Sequence, residues 1–238
     1  MIYINGAVLK VTKFPDKTSQ VFIPDSVKRN NSINITWEFE GEEELSHLNQ
    51  LVYLLGREVR KHLYMPFLPY GRQDKPPYDS LFPFIDLLKS MQFESIATLD
   101  AHSDVWPFLS ISPRDYILKA FESSCSDVVI YPDKGAEDRY GDILPGISYV
   151  KERDPLTGNI ISHFLGPNIR VGLENKKVLI VDDICDGGRT FTGIAKDLKD
   201  ICPEINLYVT HGIFSKGIQV LKDSGIKRIF THKGEVLC

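Results

Sequence analysis

Apolar and polar positions along the chain follow two rhythms. Short β-branched and aliphatic runs predict strands near 2–4, 20–23, 33–38, 63–68, 95–99, 127–131, 147–151, 159–164, 177–181, 205–210 and 227–230. Between them, apolar residues recurring every three or four positions predict helices near 80–91, 113–122, 134–140, 190–200 and 216–223. The longest helical pattern runs from about Glu42 to Lys61, with Leu45, Leu48, Leu51, Val52, Leu55 and Val59 on one face. Strands alternating with helices predict the α/β class, with largely parallel sheets flanked by helices. The pattern falls into two similar halves, which suggests a duplicated domain. A small polar stretch, Ser123–Ser126, marks the boundary, so the predicted domains are 1–124 and 125–238.

Composition narrows the function classes. The 238 residues are 42% hydrophobic and 25% charged, ordinary for a globular protein that buries a real core. A net charge of −4 argues against a general binder of nucleic acid or membrane surfaces. Cys125, Cys185, Cys202 and Cys238 are scattered, without a CxxC pair or a Cys/His cluster. Metal–thiolate sites and a disulfide scaffold are therefore not expected, and a reducing cytoplasm fits. The N-terminal MIYINGAVLK lacks the basic and apolar regions of a signal peptide. No apolar run approaches the roughly 18 residues of a membrane span.

The chemistry concentrates in Val178–Thr192. A VLIV run enters Asp182-Asp183, then Asp186-Gly187-Gly188-Arg189-Thr190, then a helical pattern. That order predicts a buried parallel strand, a tight turn and a helix start. Ligands of open α/β sheets sit at the carboxyl ends of strands. Glycines let backbone approach an anion, and a helix N-terminus offers free N–H groups. The segment therefore reads as a sugar-phosphate site: Asp182 and Asp183 toward the sugar hydroxyls, Asp186–Thr190 around the phosphate. The plainer alternative is a capped helix after a simple βα turn. The P-loop spacing is absent.

Four further segments carry candidates. In Met65–Asp74, Arg72, Gln73 and Asp74 follow a strand; Arg suits a phosphate and Gln a purine edge, although a solvated loop would look the same. In Thr98–Asp104, Asp100 and His102 lie two apart at a strand end, which would aim both one way and suit magnesium. In Tyr131–Tyr140, Asp133 precedes a glycine at a strand-to-helix turn, as a ligand or as a helix cap. Lys151 and Arg153 leave a strand two apart, as an anion-binding arm or as a solvated edge.

Taken in order, these segments resemble the ribose-phosphate diphosphokinases, also called phosphoribosyl-pyrophosphate synthetases. The resemblance runs from about residue 14 to 230. Pro69-Tyr70-Gly71-Arg72-Gln73-Asp74 is similar to the family's ATP-binding loop, Asp100 and His102 to its metal-binding Asp-x-His, and Pro132–Gly135 to its Pro-Asp-x-Gly turn. Lys151 and Arg153 resemble the Lys-x-Arg of its flexible catalytic arm. Val181–Thr192 resembles its ribose-phosphate loop, shared with type I phosphoribosyltransferases.

The resemblance implies two similar phosphoribosyltransferase-type domains assembled as dimers or hexamers. It also implies magnesium-dependent transfer of the diphosphoryl group of ATP to the anomeric hydroxyl of ribose 5-phosphate. Arg72, Gln73 and Asp74 would seat ATP; Asp100, His102 and Asp133 would hold metal; Lys151 and Arg153 would be catalytic. The chain departs from the family at Lys17-Thr18, where a Gly-Glu follows Phe-x-Asp, at Gly187-Gly188-Arg189 in the phosphate loop, and in ending soon after Phe230. The last two of these departures, with Lys151–Gly158, are similar to a divergent branch associated with nicotinamide salvage. Some of its members take ADP-ribose as acceptor and feed NAD synthesis. A phosphoribosyltransferase would need the loop 182–192 but neither Arg72-Gln73-Asp74 nor Lys151-x-Arg153. A non-catalytic regulatory homologue would lose site residues, whereas Lys151, Arg153, Asp182 and Asp183 are all present. The expected partners are small molecules and a second copy of the chain.

Overall fold

The structure, a computed structural model, describes every residue except 26, 28, 29, 78, 154–159 and 238; for 151–153, 160–163, 167 and 168 it describes the backbone alone. Two compact units divide the chain, Met1–Ser112 and Pro113–Cys238. Each is an α/β unit built on a six-stranded, largely parallel sheet flanked by helices.

The first unit contains strands β1 (Ile2–Ile4), β2 (Ala7–Val8), β3 (Lys10–Lys13), β4 (Ser19–Phe22) and β5 (Ser32–Trp37), then α1 (Glu43–Leu55), β6 (Arg60–Met65), α2 (Leu81–Ser90), β7 (Ser95–Leu99) and β8 (Leu109–Ile111). The sheet order is β2-β1-β5-β6-β7-β8, with β3–β4 as a separate hairpin. Strands β5 to β8 run parallel, and β1 and β2 form an antiparallel edge. The core gathers Ile33, Ile35 and Trp37 of β5 with Leu63, Met65 and the apolar faces of α1 and α2. Trp37 donates its indole N–H to Glu44 Oε2 at 2.9 Å, which satisfies a buried donor.

Helix α1 ends at Leu55, earlier than its apolar pattern predicts. Gly56 takes φ 76° and donates its N–H to the Tyr53 carbonyl, a backbone turn that stops the helix. Lys61 then folds inward, donating from Nζ to the Gly56 and Val59 carbonyls at 2.8 and 3.0 Å. Burial holds its ammonium pKa below the usual value.

The second unit contains α3 (Arg114–Ser124), β9 (Val128–Tyr131), α4 (Lys134–Tyr140), β10 (Gly146–Ser148), β11 (Val150–Arg153), β12 (Ile160–Phe164), α5 (Pro167–Gly172), β13 (Lys177–Cys185), α6 (Arg189–Leu198), β14 (Glu204–Gly212), α7 (Gln219–Asp223), β15 (Ile226–Thr231) and β16 (Gly234–Glu235). Its sheet order is β10-β9-β13-β14-β15-β16, parallel throughout except for β16. The central strands β13 and β14 are nearly continuous buried runs, as a sheet covered on both faces requires.

The boundary lies one helix earlier than the polar stretch Ser123–Ser126 predicts. Ile117 and Ala120 of α3 pack into one cluster with Val129, Leu179, Val181 and Tyr208, so this helix belongs to the second sheet. Among the described residues, no helix is long and apolar enough to cross a membrane.

Candidate functional site

Strand β13 runs beyond the predicted 177–181 to Cys185 and carries both aspartates within the sheet, Asp182 opposite Val209 of β14. Consecutive strand residues face opposite sides, so the two carboxylates do not leave the strand together. Asp183 is buried, and its Oδ2 accepts from Arg139 Nη1 of α4 at 3.0 Å. Asp182 is half-buried, and its Oδ1 accepts the Asp183 backbone N–H at 3.0 Å. Arg139 lay within a segment that the sequence marks as chemical, but its ion pair with Asp183 has no local sequence signal.

Beyond Cys185 the chain makes the tight turn that the glycines predict. Gly188 occupies the left-handed region at φ 75° and is the N-cap of α6, which begins at Arg189. A Cβ there would lie 2.9 Å from Leu221 Cδ2, so both backbone and space favour glycine. With glycine at the cap, no N-cap side chain takes up the first N–H groups of the ten-residue helix α6. The turn thus places the uncapped first turn of α6 and the positive end of its dipole at the carboxyl end of a central strand. Arg189 and Asp186 are exposed beside it, and Thr190 is half-buried.

Cys185 closes the turn from beneath. Burial, then the charges of Asp182 and Asp186, pushes its thiol up to about 12. Burial likewise raises Cys202 to about 11, whereas Cys125 is exposed. At pH 8 a thiol reagent should therefore label Cys125 rapidly and leave Cys185 and Cys202 unmodified in the native state. Peptide mapping after timed alkylation checks this; equal labelling of Cys185 would mean that the turn opens in solution.

Asp133 has an extended backbone as the N-cap of α4, and its Oδ1 accepts the Ala136 N–H at 3.0 Å. The capping role of this aspartate is therefore realised. Lys151 and Arg153 lie on β11, paired with His163 and Ile160 of β12, and a register shift falls between Glu152 and Arg153. Their side chains, and the turn 154–158, lie outside the described residues.

In the first unit, the loop after β6 is tied down by its backbone. Gly71 and Gln73 donate N–H groups to the Leu68 and Tyr70 carbonyls at 3.3 and 2.8 Å. Tyr70 adopts φ 61°, and its hydroxyl donates to Glu42 Oε1 at 2.9 Å. Burial, then Glu42, raises its pKa. Arg72 and Gln73 are exposed and line a cavity of about 410 Å³ together with Phe39, Phe67 and Tyr70.

Asp74 Oδ2 accepts from Ser103 Oγ at 2.8 Å, which joins this loop to the Asp100–Asp104 segment. Two segments that the sequence marks separately thus meet in one unit. Asp100, however, follows the end of β7 and adopts φ 50°, so strand alternation does not align it with His102. Asp100 is buried and His102 half-buried.

Among the described residues, no three His, Cys, Asp or Glu side chains cluster as a complete metal site. One carboxylate and one imidazole still fit magnesium, which commonly completes its shell with waters and substrate phosphates. Asp133 belongs to the other unit.

No family model matches the chain. In sequence it is similar to the ribose-phosphate pyrophosphokinase of Pyrococcus abyssi, 25% identical over 237 residues, covering 88% of this chain and 78% of that protein. The enzyme of the same name from Mycobacterium leprae is 29% identical over 173 residues, which span 63% of this chain and about half, 51%, of that one. In three dimensions the chain matches the crystal structure of phosphoribosylpyrophosphate synthetase from Mycobacterium smegmatis. The TM-score is 0.71 at 20% identity, over 94% of this chain and 79% of that one. The fold is therefore shared with that synthetase, as two α/β units of the phosphoribosyltransferase type.

Proposed function

We propose that the chain transfers the β,γ-diphosphoryl group of ATP to the anomeric hydroxyl of ribose 5-phosphate, giving phosphoribosyl pyrophosphate and AMP. The anomeric oxygen attacks the β-phosphorus, the bond from that phosphorus to the α-phosphate oxygen breaks, AMP leaves, and the hydroxyl proton is lost. One observation carries the reading: the Asp186–Thr190 turn, with Gly188 left-handed at the start of α6, closes a central parallel strand at its carboxyl end. Similarity to ribose-phosphate pyrophosphokinases supports the same reaction.

Transfer of this kind is mostly positioning and charge stabilisation. In this reading, the turn 186–190 holds the 5-phosphate through backbone N–H groups and Thr190. Asp182 accepts hydrogen bonds from the sugar hydroxyls, and Asp183 keeps that strand end in place through Arg139. Arg72 and Gln73 seat ATP at their cavity, with Asp74 bracing the loop through Ser103. Lys151 and Arg153 neutralise charge on the transferring phosphates. Magnesium, held by Asp100 and His102 when bound, would supply positive charge to the ATP phosphates. A cytoplasmic homo-oligomer belongs to the same reading.

A second acceptor, ADP-ribose, is favoured by one feature. Arg189 places an exposed guanidinium in the turn, and this side chain has no ion pair among the described residues. A guanidinium suits a further phosphate. The test offers ribose 5-phosphate and ADP-ribose in parallel with ATP and magnesium and follows products by mass spectrometry. AMP with a diphosphorylated sugar is expected from ribose 5-phosphate, and a larger yield from ADP-ribose would select that acceptor. Absence of AMP with both would overturn the reading.

A further inference from the structure

The turn after β14 brings one more cation to the phosphate loop. Ile213 and Phe214 both donate N–H groups to the Cys185 carbonyl, at 2.8 and 3.1 Å, and Gly217 donates to the Phe214 carbonyl at 2.7 Å. The 213–217 turn is thus hung on the residue that immediately precedes Asp186. Lys216, exposed within it, lays its stem over Gly187: a Cβ built on that glycine would lie 3.6 Å from Lys216 Cδ and Cε. The ammonium is one bond further on. Neither Lys216 nor Arg189 has a side-chain ion pair among the described residues. Two free cations therefore border a glycine turn whose backbone already favours an anion.

We infer that Lys216 is a phosphate-binding residue of this loop, contacting the phosphorylated end of the sugar substrate. This rests on the reaction proposed above. Gly187 fits that role: with no side chain of its own it leaves its backbone open to the substrate beside the lysine stem. The remoteness of Lys216 in sequence, on a different strand end, explains why no local motif contains it.

An uncharged stem packed on glycine would explain the contact without any ligand, and Lys216→Met separates the two. It keeps the length and apolar surface but removes the charge. Calorimetric titration of ribose 5-phosphate should show at least about tenfold weaker binding in Lys216→Met and near-native binding in Lys216→Arg. The KM for ATP and the melting temperature should be unchanged. The gap between wild type and Lys216→Met should narrow as salt rises, because an exposed charge contact is screened. Equal affinity of wild type and Lys216→Met overturns the inference while leaving the reaction intact, since AMP release by the wild type is measured alongside. Wild-type protein that binds no ribose 5-phosphate overturns both.

Discussion

Lys151→Ala should cut turnover by about 10²–10³ while leaving the KM for ATP within a factor of about two. The size follows from what a preorganised cation does to charge that develops only in the transition state: its loss raises the barrier without weakening the ground-state complex. Lys151 sits on β11 of a two-stranded hairpin that pairs with neither six-stranded sheet, so removing its side chain should leave both cores untouched. Steady-state kinetics with thermal melts on the same preparation checks this. An unchanged kcat would remove Lys151 from the reaction. A raised KM for ATP at constant kcat would make it a binding residue instead. Arg153→Ala should behave in the same way, although the register shift before it gives the two residues different backbone settings.

How much was legible in the sequence depended on how local each signal is. The VLIV run, the glycine turn and the start of α6 were readable because each is set by neighbours along the chain: aliphatic branching, freedom at positive φ, and the pattern of Phe191, Ile194, Ala195 and Leu198. Edge strands β2 and β8 were missed because they are exposed on both faces and show no alternation. The apolar stripe predicts a longer α1 because Val59 continues it after Gly56 has already ended the helix. The polar stretch Ser123–Ser126 looks like a linker, whereas the division falls at Pro113, the N-cap of α3.

In the site, what escaped were contacts between distant residues. Asp74 with Ser103 and Arg139 with Asp183 are pairs that no spacing rule brings together. Even the paired aspartates misled, because adjacency in sequence reads as adjacency in space until the strand proves to continue through them.

That continuation separates Asp182 from Asp183 in effect. Asp183→Ala should lower stability by about 2–3 kcal/mol, since it removes the buried carboxylate that Arg139 Nη1 pairs with at 3.0 Å; the usual penalty for breaking a buried pair is larger, about 3–5 kcal/mol, but Arg139 keeps 27% of its side chain in solvent. Asp182→Asn should leave the unfolding midpoint where it was, because the amide oxygen can still accept the Asp183 N–H. It should nevertheless lose about 10² in turnover, because an amide accepts the sugar hydroxyls more weakly and carries no charge. Denaturant unfolding and AMP release, measured on both variants, form a two-by-two comparison. If the two variants lost activity equally at wild-type stability, both carboxylates would be acting on substrate and the Arg139 pair would yield when the sugar binds. If Asp182→Asn were the less stable of the two, the strand would depend on its charge, and the sugar would have to be held by the turn alone.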